Sequence, residues 1–192
     1  MTAPEHRGKE RIFLTGFMGS GKSSIGPILA NTLGYAFADT DREIEAREGR
    51  SVTMIFRDDG EEHFRTLERE VVRELCARRR VVVALGGGTL MDPANYAAMA
   101  EAGVIVYLRA SVDQLFLRLQ KKGDRPVLRG DDGEALGPEQ LRARIETLVR
   151  EREPVYRRAQ VVIATDGTRI GLTVDALVRK LRPMLAPSGR VS

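Results

Sequence analysis

The chain has 192 residues, 42% hydrophobic and 30% charged, with a net charge of +4 and a single cysteine, Cys76. This is the balance of one folded domain, and it excludes a disordered chain, an internal disulfide and a cysteine-based metal site. With 5% aromatics, no tryptophan, arginines interleaved with acids and only strand-sized apolar runs, neither a nucleic acid nor a membrane is an expected partner; the lone cysteine points to the reducing cytoplasm, and the compact size to a monomer.

The opening MTAPEHRGKERI lacks an apolar signal core, so export is not expected. From there the hydrophobic pattern alternates between strand and helix. Arg11 to Thr15 reads as a strand, followed by a glycine loop and a helix from Lys22 to Leu33. Tyr35 to Ala38 reads as a second strand, then Asp41 to Arg47, Val52 to Phe56 and Glu61 to Ala77 as helices. Val81 to Leu85 is a continuous apolar run, as a buried parallel strand should be. Asp92 and Pro93 suit the N-cap and first position of a helix. Val104 to Leu108 and Gln160 to Ala164 complete five strands, with helices predicted over Val112 to Gln120, Glu139 to Arg152 and Leu172 to Leu185. The expected fold is an α/β three-layer sandwich around a five-stranded parallel sheet. Residues 121–138 are polar, rich in glycine and poorly periodic; they read either as a surface insertion or as a mobile lid.

Gly16 to Ser23, GFMGSGKS, matches the phosphate-loop pattern G-x-x-x-x-G-K-[ST] between a strand and a helix. The amides from Gly19, Ser20 and Gly21 through Lys22, Ser23 and Ser24 can turn toward a polyphosphate, aided by the helix N-terminus. Lys22 would reach the β- and γ-phosphates, and the Ser23 hydroxyl would ligate Mg²⁺. This makes ATP the expected co-substrate and Mg²⁺ the expected cofactor. The guanine-reading N-K-x-D tetrapeptide is absent, which points to a small-molecule kinase.

Three further groups surround a possible acceptor. Asp39 and Asp41, two apart after a strand, can face one cleft if the segment is extended; the alternative is an Asx-type turn or a helix cap, with Asp41 the candidate cap. Arg65 lies three residues before Glu68, a spacing that fits an oriented arginine for a carboxylate or an ordinary surface ion pair. Gly86, Gly87 and Gly88 follow a buried strand and admit close backbone approach to a ligand.

These motifs together resemble the shikimate kinase family across residues 11–183. They are GFMGSGKSSIG at 16–26, FADTDREIE at 37–45, IFRDDGEEHFRTLE at 55–68, LGGG at 85–88, GDRPVL at 123–128 and REREPVY at 150–156. The resemblance implies transfer of the γ-phosphoryl of ATP to the 3-hydroxyl of shikimate, on a phosphate-loop kinase fold with a mobile lid. By the same resemblance, Lys22, Asp41 and Arg125 would take part in the chemistry, and Asp39 would hold Mg²⁺ through water beside Ser23. Arg118 and Arg125 would face the nucleotide. Asp41, Phe56, Phe64, Arg65, Gly86 to Gly88 and Arg152 would line the acceptor pocket, with Glu68 positioning Arg65. A gluconate-type kinase or a non-enzymatic ATP-binding module are the alternatives. Arg169 sits in TDGTRI, which matches too weakly for an assignment.

Overall fold

A computed structural model describes residues 9–120 and 136–185. The chain order is β1 (Arg11–Thr15), α1 (Lys22–Leu33), β2 (Ala36–Asp39), α2 (Thr40–Glu48), α3 (Val52–Asp58) and α4 (Gly60–Ala77). It continues through β3 (Val81–Ala84), α5 (Pro93–Ala102), β4 (Val104–Arg109), α6 (Val112–Leu119), α7 (Pro138–Tyr156), β5 (Val161–Ala164) and α8 (Ile170–Leu181). The five strands form one parallel sheet in the order β2-β3-β1-β4-β5.

Alternation along the strands divides the core. Ile12 and Leu14 of β1 face one side with Val82, Val104 and Val106, where they meet Ile25 and Leu29 of α1 and Val174 and Leu177 of α8. Phe13 faces the other side with Val81, Val83 and Ile105, against Phe64, Leu67, Val71 and Leu75 of α4 and Met99 of α5. The apolar stripe of α4 expected from its 3.6-residue period is the surface it buries. A third cluster joins Leu115 and Leu119 of α6 to Ile145 and Leu148 of α7, with Phe17 between them and the sheet.

Several boundaries differ from the sequence expectation, and two of the differences matter. Strand β2 starts at Ala36 because the Tyr35 amide donates to Ala30 O at the end of α1 (2.8 Å), and it runs on to Asp39, which pairs with Ala84. Helix α2 then begins at Thr40, so Asp39 and Asp41 are not two residues of one extended segment. Helix α7 continues past Arg152 to Tyr156 in spite of Pro154, which lacks an amide only within the last turn. At the C-terminal end, α8 stops at Leu181 rather than Leu185; a single 3₁₀ turn (Arg182–Met184) follows, since Pro183 cannot donate to the preceding turn. The segment expected to form a lid lies, up to residue 135 and including Arg125, outside the described residues.

The lone Cys76 sits half-buried on α4, and burial pushes its thiol from the usual 9.0 up to about 11, against the weaker pull of Arg11. The raised folded value means that the native state keeps this contribution below pH 9 and loses it as the pH climbs through 11. At pH 8, alkylation of native Cys76 by iodoacetamide should run on the order of a hundredfold slower than in chain unfolded with guanidinium. Equal rates would place the thiol in open solvent.

Candidate active site

Crevices beyond the carboxyl ends of parallel strands are where α/β sheets accept ligands. Here the ends of β1, β2 and β3 open into a cavity of about 810 Å³. The loop after β1 forms one wall. Gly19 and Gly21 hold φ values of +82° and +105°, the left-handed region that a side chain would strain, and this lets Ser20 and its neighbours curl around the cavity before α1 begins. The Lys22 ammonium, largely buried, donates to Gly16 O (2.6 Å) and Phe17 O (3.1 Å). At the far end of this wall, Arg118 of α6 donates to Gly19 O (2.9 Å) and Thr165 O (3.0 Å), tying the loop to the end of β5.

Asp39 does two things at once. Its Oδ1 accepts from the amides of Asp41 and Arg42, capping α2, while its Oδ2 accepts from the Ser23 hydroxyl at 3.2 Å. Asp39 therefore fills the capping role the sequence left open to Asp41. Asp41 reaches the cavity from the first turn of α2: helix curvature, not strand alternation, brings the two carboxylates into one cleft. Ser23 and Asp39 present a hydroxyl and a carboxylate side by side, a hard oxygen pair that suits Mg²⁺, which binds through few protein ligands and keeps waters and phosphate oxygens. Among the described residues no group of three or more His, Cys, Asp or Glu is placed to hold a metal by itself.

The opposite wall is cationic. Glu68, 1% exposed, accepts from Arg65 Nη1 at 2.8 Å and from the Thr89 hydroxyl at 2.6 Å, so both of its oxygens are engaged. Glu61 grips the same guanidinium from the solvent side at 2.9 Å. Burial pulls the Arg65 pKa down, but the Glu68 and Glu61 carboxylates outweigh it and hold the guanidinium above its ordinary value. The arginine lies flush against Gly88, where a Cβ would stand 2.8 Å from Nη2. A Cβ on Gly86 would stand 2.8 Å from Asp41 Oδ1, and one on Gly87 would stand 3.4 Å from Arg152 Nη1. The three glycines are thus the space that one carboxylate and two guanidinium groups occupy. Phe56 and Phe64 pack at 4.6 Å between ring centroids and close the side of the pocket.

Of the residues expected from the sequence, Gly19 to Ser24, Asp39, Asp41, Phe56, Phe64, Arg65, Glu68, Gly86 to Gly88, Arg118 and Arg152 all line this one cavity. Arg169 does not; it precedes α8 and its carbonyl accepts from Thr173. Thr165, Thr168, Ile170 and Thr173, which carry no motif that marks them along the chain, line the cavity near Arg118. Two buried hydroxyls were also missed. Thr40 Oγ1 accepts from the Gly86 amide at 2.8 Å, and Tyr156 Oη donates to Gly87 O at 2.5 Å. Tyr156 stands inside a matched motif, but a helix ending at Arg152 left it without a direction.

A family model described as shikimate kinase matches residues 18–182. A shikimate kinase of Chlorobaculum parvum is 47% identical over 170 residues, covering 88% of this chain and 91% of that protein. Among solved structures, a shikimate kinase from Acinetobacter baumannii in complex with shikimate superposes with a TM-score of 0.81 at 32% identity, over 93% of this chain and 97% of that one. The shikimate kinase from Bacteroides thetaiotaomicron gives 0.82 at 34% identity, over 90% and 98%. With the phosphate loop, the paired aspartates, the oriented arginine and the triple glycine meeting in one cleft, the chain belongs to the shikimate kinase family.

Proposed function

We propose that this protein transfers the γ-phosphoryl group of ATP to the 3-hydroxyl of shikimate, giving ADP and shikimate 3-phosphate. The observation that supports it best is Arg65, held between buried Glu68 and Gly88 across the cavity from the phosphate loop. A planar guanidinium so fixed matches a carboxylate with two parallel hydrogen bonds, and shikimate is a carboxylate-bearing polyol. Arg152, beside Gly87, supplies the second cation, and Phe56 and Phe64 offer the apolar side of the ring its wall.

In the reaction the acceptor oxygen forms a bond to the γ-phosphorus as the bond to the β,γ-bridging oxygen breaks, and the hydroxyl proton leaves. Asp41, which lines the cavity, would align that hydroxyl and accept its proton. The loop amides and the Lys22 ammonium neutralise charge that spreads over the phosphoryl oxygens. Mg²⁺, held by Ser23 and through water by Asp39, would add charge neutralisation on the same phosphates. Arg118, whose guanidinium bonds Gly19 O and Thr165 O, would lie against the nucleotide base. The described strands form one sheet, which supports a single catalytic domain, and a lone unpaired cysteine fits a reducing cytoplasm. No described helix is long and apolar enough to cross a membrane.

A coupled ADP-release assay with shikimate, gluconate and AMP in parallel tests this reading. Release with shikimate alone is expected. Release with gluconate or AMP instead would move the protein to another acceptor class, and ATP binding without any product would make it a binding module.

A further inference from the structure

The triple-glycine turn has no side chains of its own, so its position depends on what neighbouring elements attach to its backbone. On one flank the Gly86 amide donates to Thr40 Oγ1. On the other, Tyr156 reaches in from α7, entirely buried, its ring packed on Tyr107 at 5.2 Å between centroids and its hydroxyl donating to Gly87 O at 2.5 Å. Arg152 lies four residues earlier on the same helix and therefore on the same face. Its Nη1 approaches that same carbonyl at the longer distance of 3.4 Å, and its guanidinium lies 5.8 Å from the centre of the Phe17 ring. Burial holds the Tyr156 phenol above its ordinary pKa, against the pull of Arg152, so the hydroxyl keeps the proton it donates.

We infer that Tyr156 is a positioning residue for acceptor recognition: by satisfying the Gly87 carbonyl it leaves the Arg152 guanidinium presented to an acceptor carboxylate. The inference rests on the proposed reading that Arg152 binds that carboxylate. The physical point is competition for donors. A carbonyl in the wall of a pocket requires a hydrogen bond, and without the phenol the nearest donor is Arg152. A guanidinium drawn onto that carbonyl turns its two-pronged edge away from the alignment a bound carboxylate needs, which weakens the pairing. A bond from tyrosine beside a 3.4 Å approach from arginine is the arrangement expected if tyrosine holds the carbonyl and arginine remains available.

Tyr156→Phe removes the hydroxyl and keeps the ring on Tyr107. With shikimate as the probe, the acceptor KM should rise roughly five- to tenfold, while kcat and the ATP KM stay within about twofold. In the background of Arg152→Ala, itself expected to raise the acceptor KM, Tyr156→Phe should add little further, because its effect passes through the arginine. A merely structural tyrosine would lower kcat in step with the folded fraction and leave the acceptor KM unmoved, and that result overturns the inference. So does a full additional effect of Tyr156→Phe on top of Arg152→Ala. If Arg152→Ala leaves the acceptor KM unchanged, the reading of the pocket falls and takes the inference with it. An unchanged KM in Tyr156→Phe beside a raised one in Arg152→Ala sinks the inference alone.

Discussion

Lys22→Met is expected to lower turnover on the order of a thousandfold or more while leaving the fold in place. Methionine matches the length of the lysine stem but carries no charge to set against the transferring phosphoryl group. The Lys22 side chain is largely buried, so its charge acts at a dielectric below that of bulk water and is difficult for solvent to replace. The loop amides and the N-terminus of α1 remain, so MgATP should still bind, more weakly. The cost to stability is modest, since the two lost bonds to Gly16 O and Phe17 O amount to about 2 kcal/mol, or a Tm shift of roughly 4–8 °C for a chain of this size. Steady-state turnover, calorimetric titration with MgATP and a thermal melt decide the matter together. A variant turning over within about tenfold of the parent would remove Lys22 from the chemistry.

Arg65→Ala should be the most informative change on the acceptor side, because two separable losses coincide in it. The first is recognition: without the fixed guanidinium, the shikimate KM should rise on the order of a hundredfold while ATP binding is nearly unaffected. The second is stability. Glu68 is 1% exposed, and it would keep only the Thr89 hydroxyl as a partner for a buried carboxylate. Breaking a buried pair by removing one member costs about 3–5 kcal/mol; with the Arg65 side chain 28% exposed, about 2–3 kcal/mol is a fairer figure. That corresponds to a Tm lower by roughly 5–10 °C. The double variant Arg65→Ala/Glu68→Gln, which discharges the buried carboxylate, should recover much of the stability and none of the acceptor affinity. If acceptor affinity returned together with stability, Arg65 would be a structural ion pair and not part of the pocket.

The phosphate loop was legible because everything it needs is contiguous: a strand, three glycines, a lysine, a serine and a helix, with the left-handed φ values at Gly19 and Gly21 following from residue type. The five strands and most helices were legible for a related reason, since periodicity reports which face of a local segment is buried. Asp39 and Asp41 show where that reasoning stops. Both were singled out, but for a strand geometry that the start of α2 at Thr40 replaces.

Residue type and spacing along the chain set the local devices: the loop that turns its amides inward, the alternation that builds a parallel sheet, and the three-residue spacing that lets Glu68 reach Arg65. What those devices face depends on the assembled sheet. The order β2-β3-β1-β4-β5 brings the ends of three strands together, so Thr40 meets Gly86 across 46 residues and Tyr156 meets Gly87 across 69. Such contacts leave no periodic trace along the chain, because they depend on side-chain direction after the sheet has formed, and a hydroxyl aimed at a distant carbonyl looks in sequence like any other buried tyrosine.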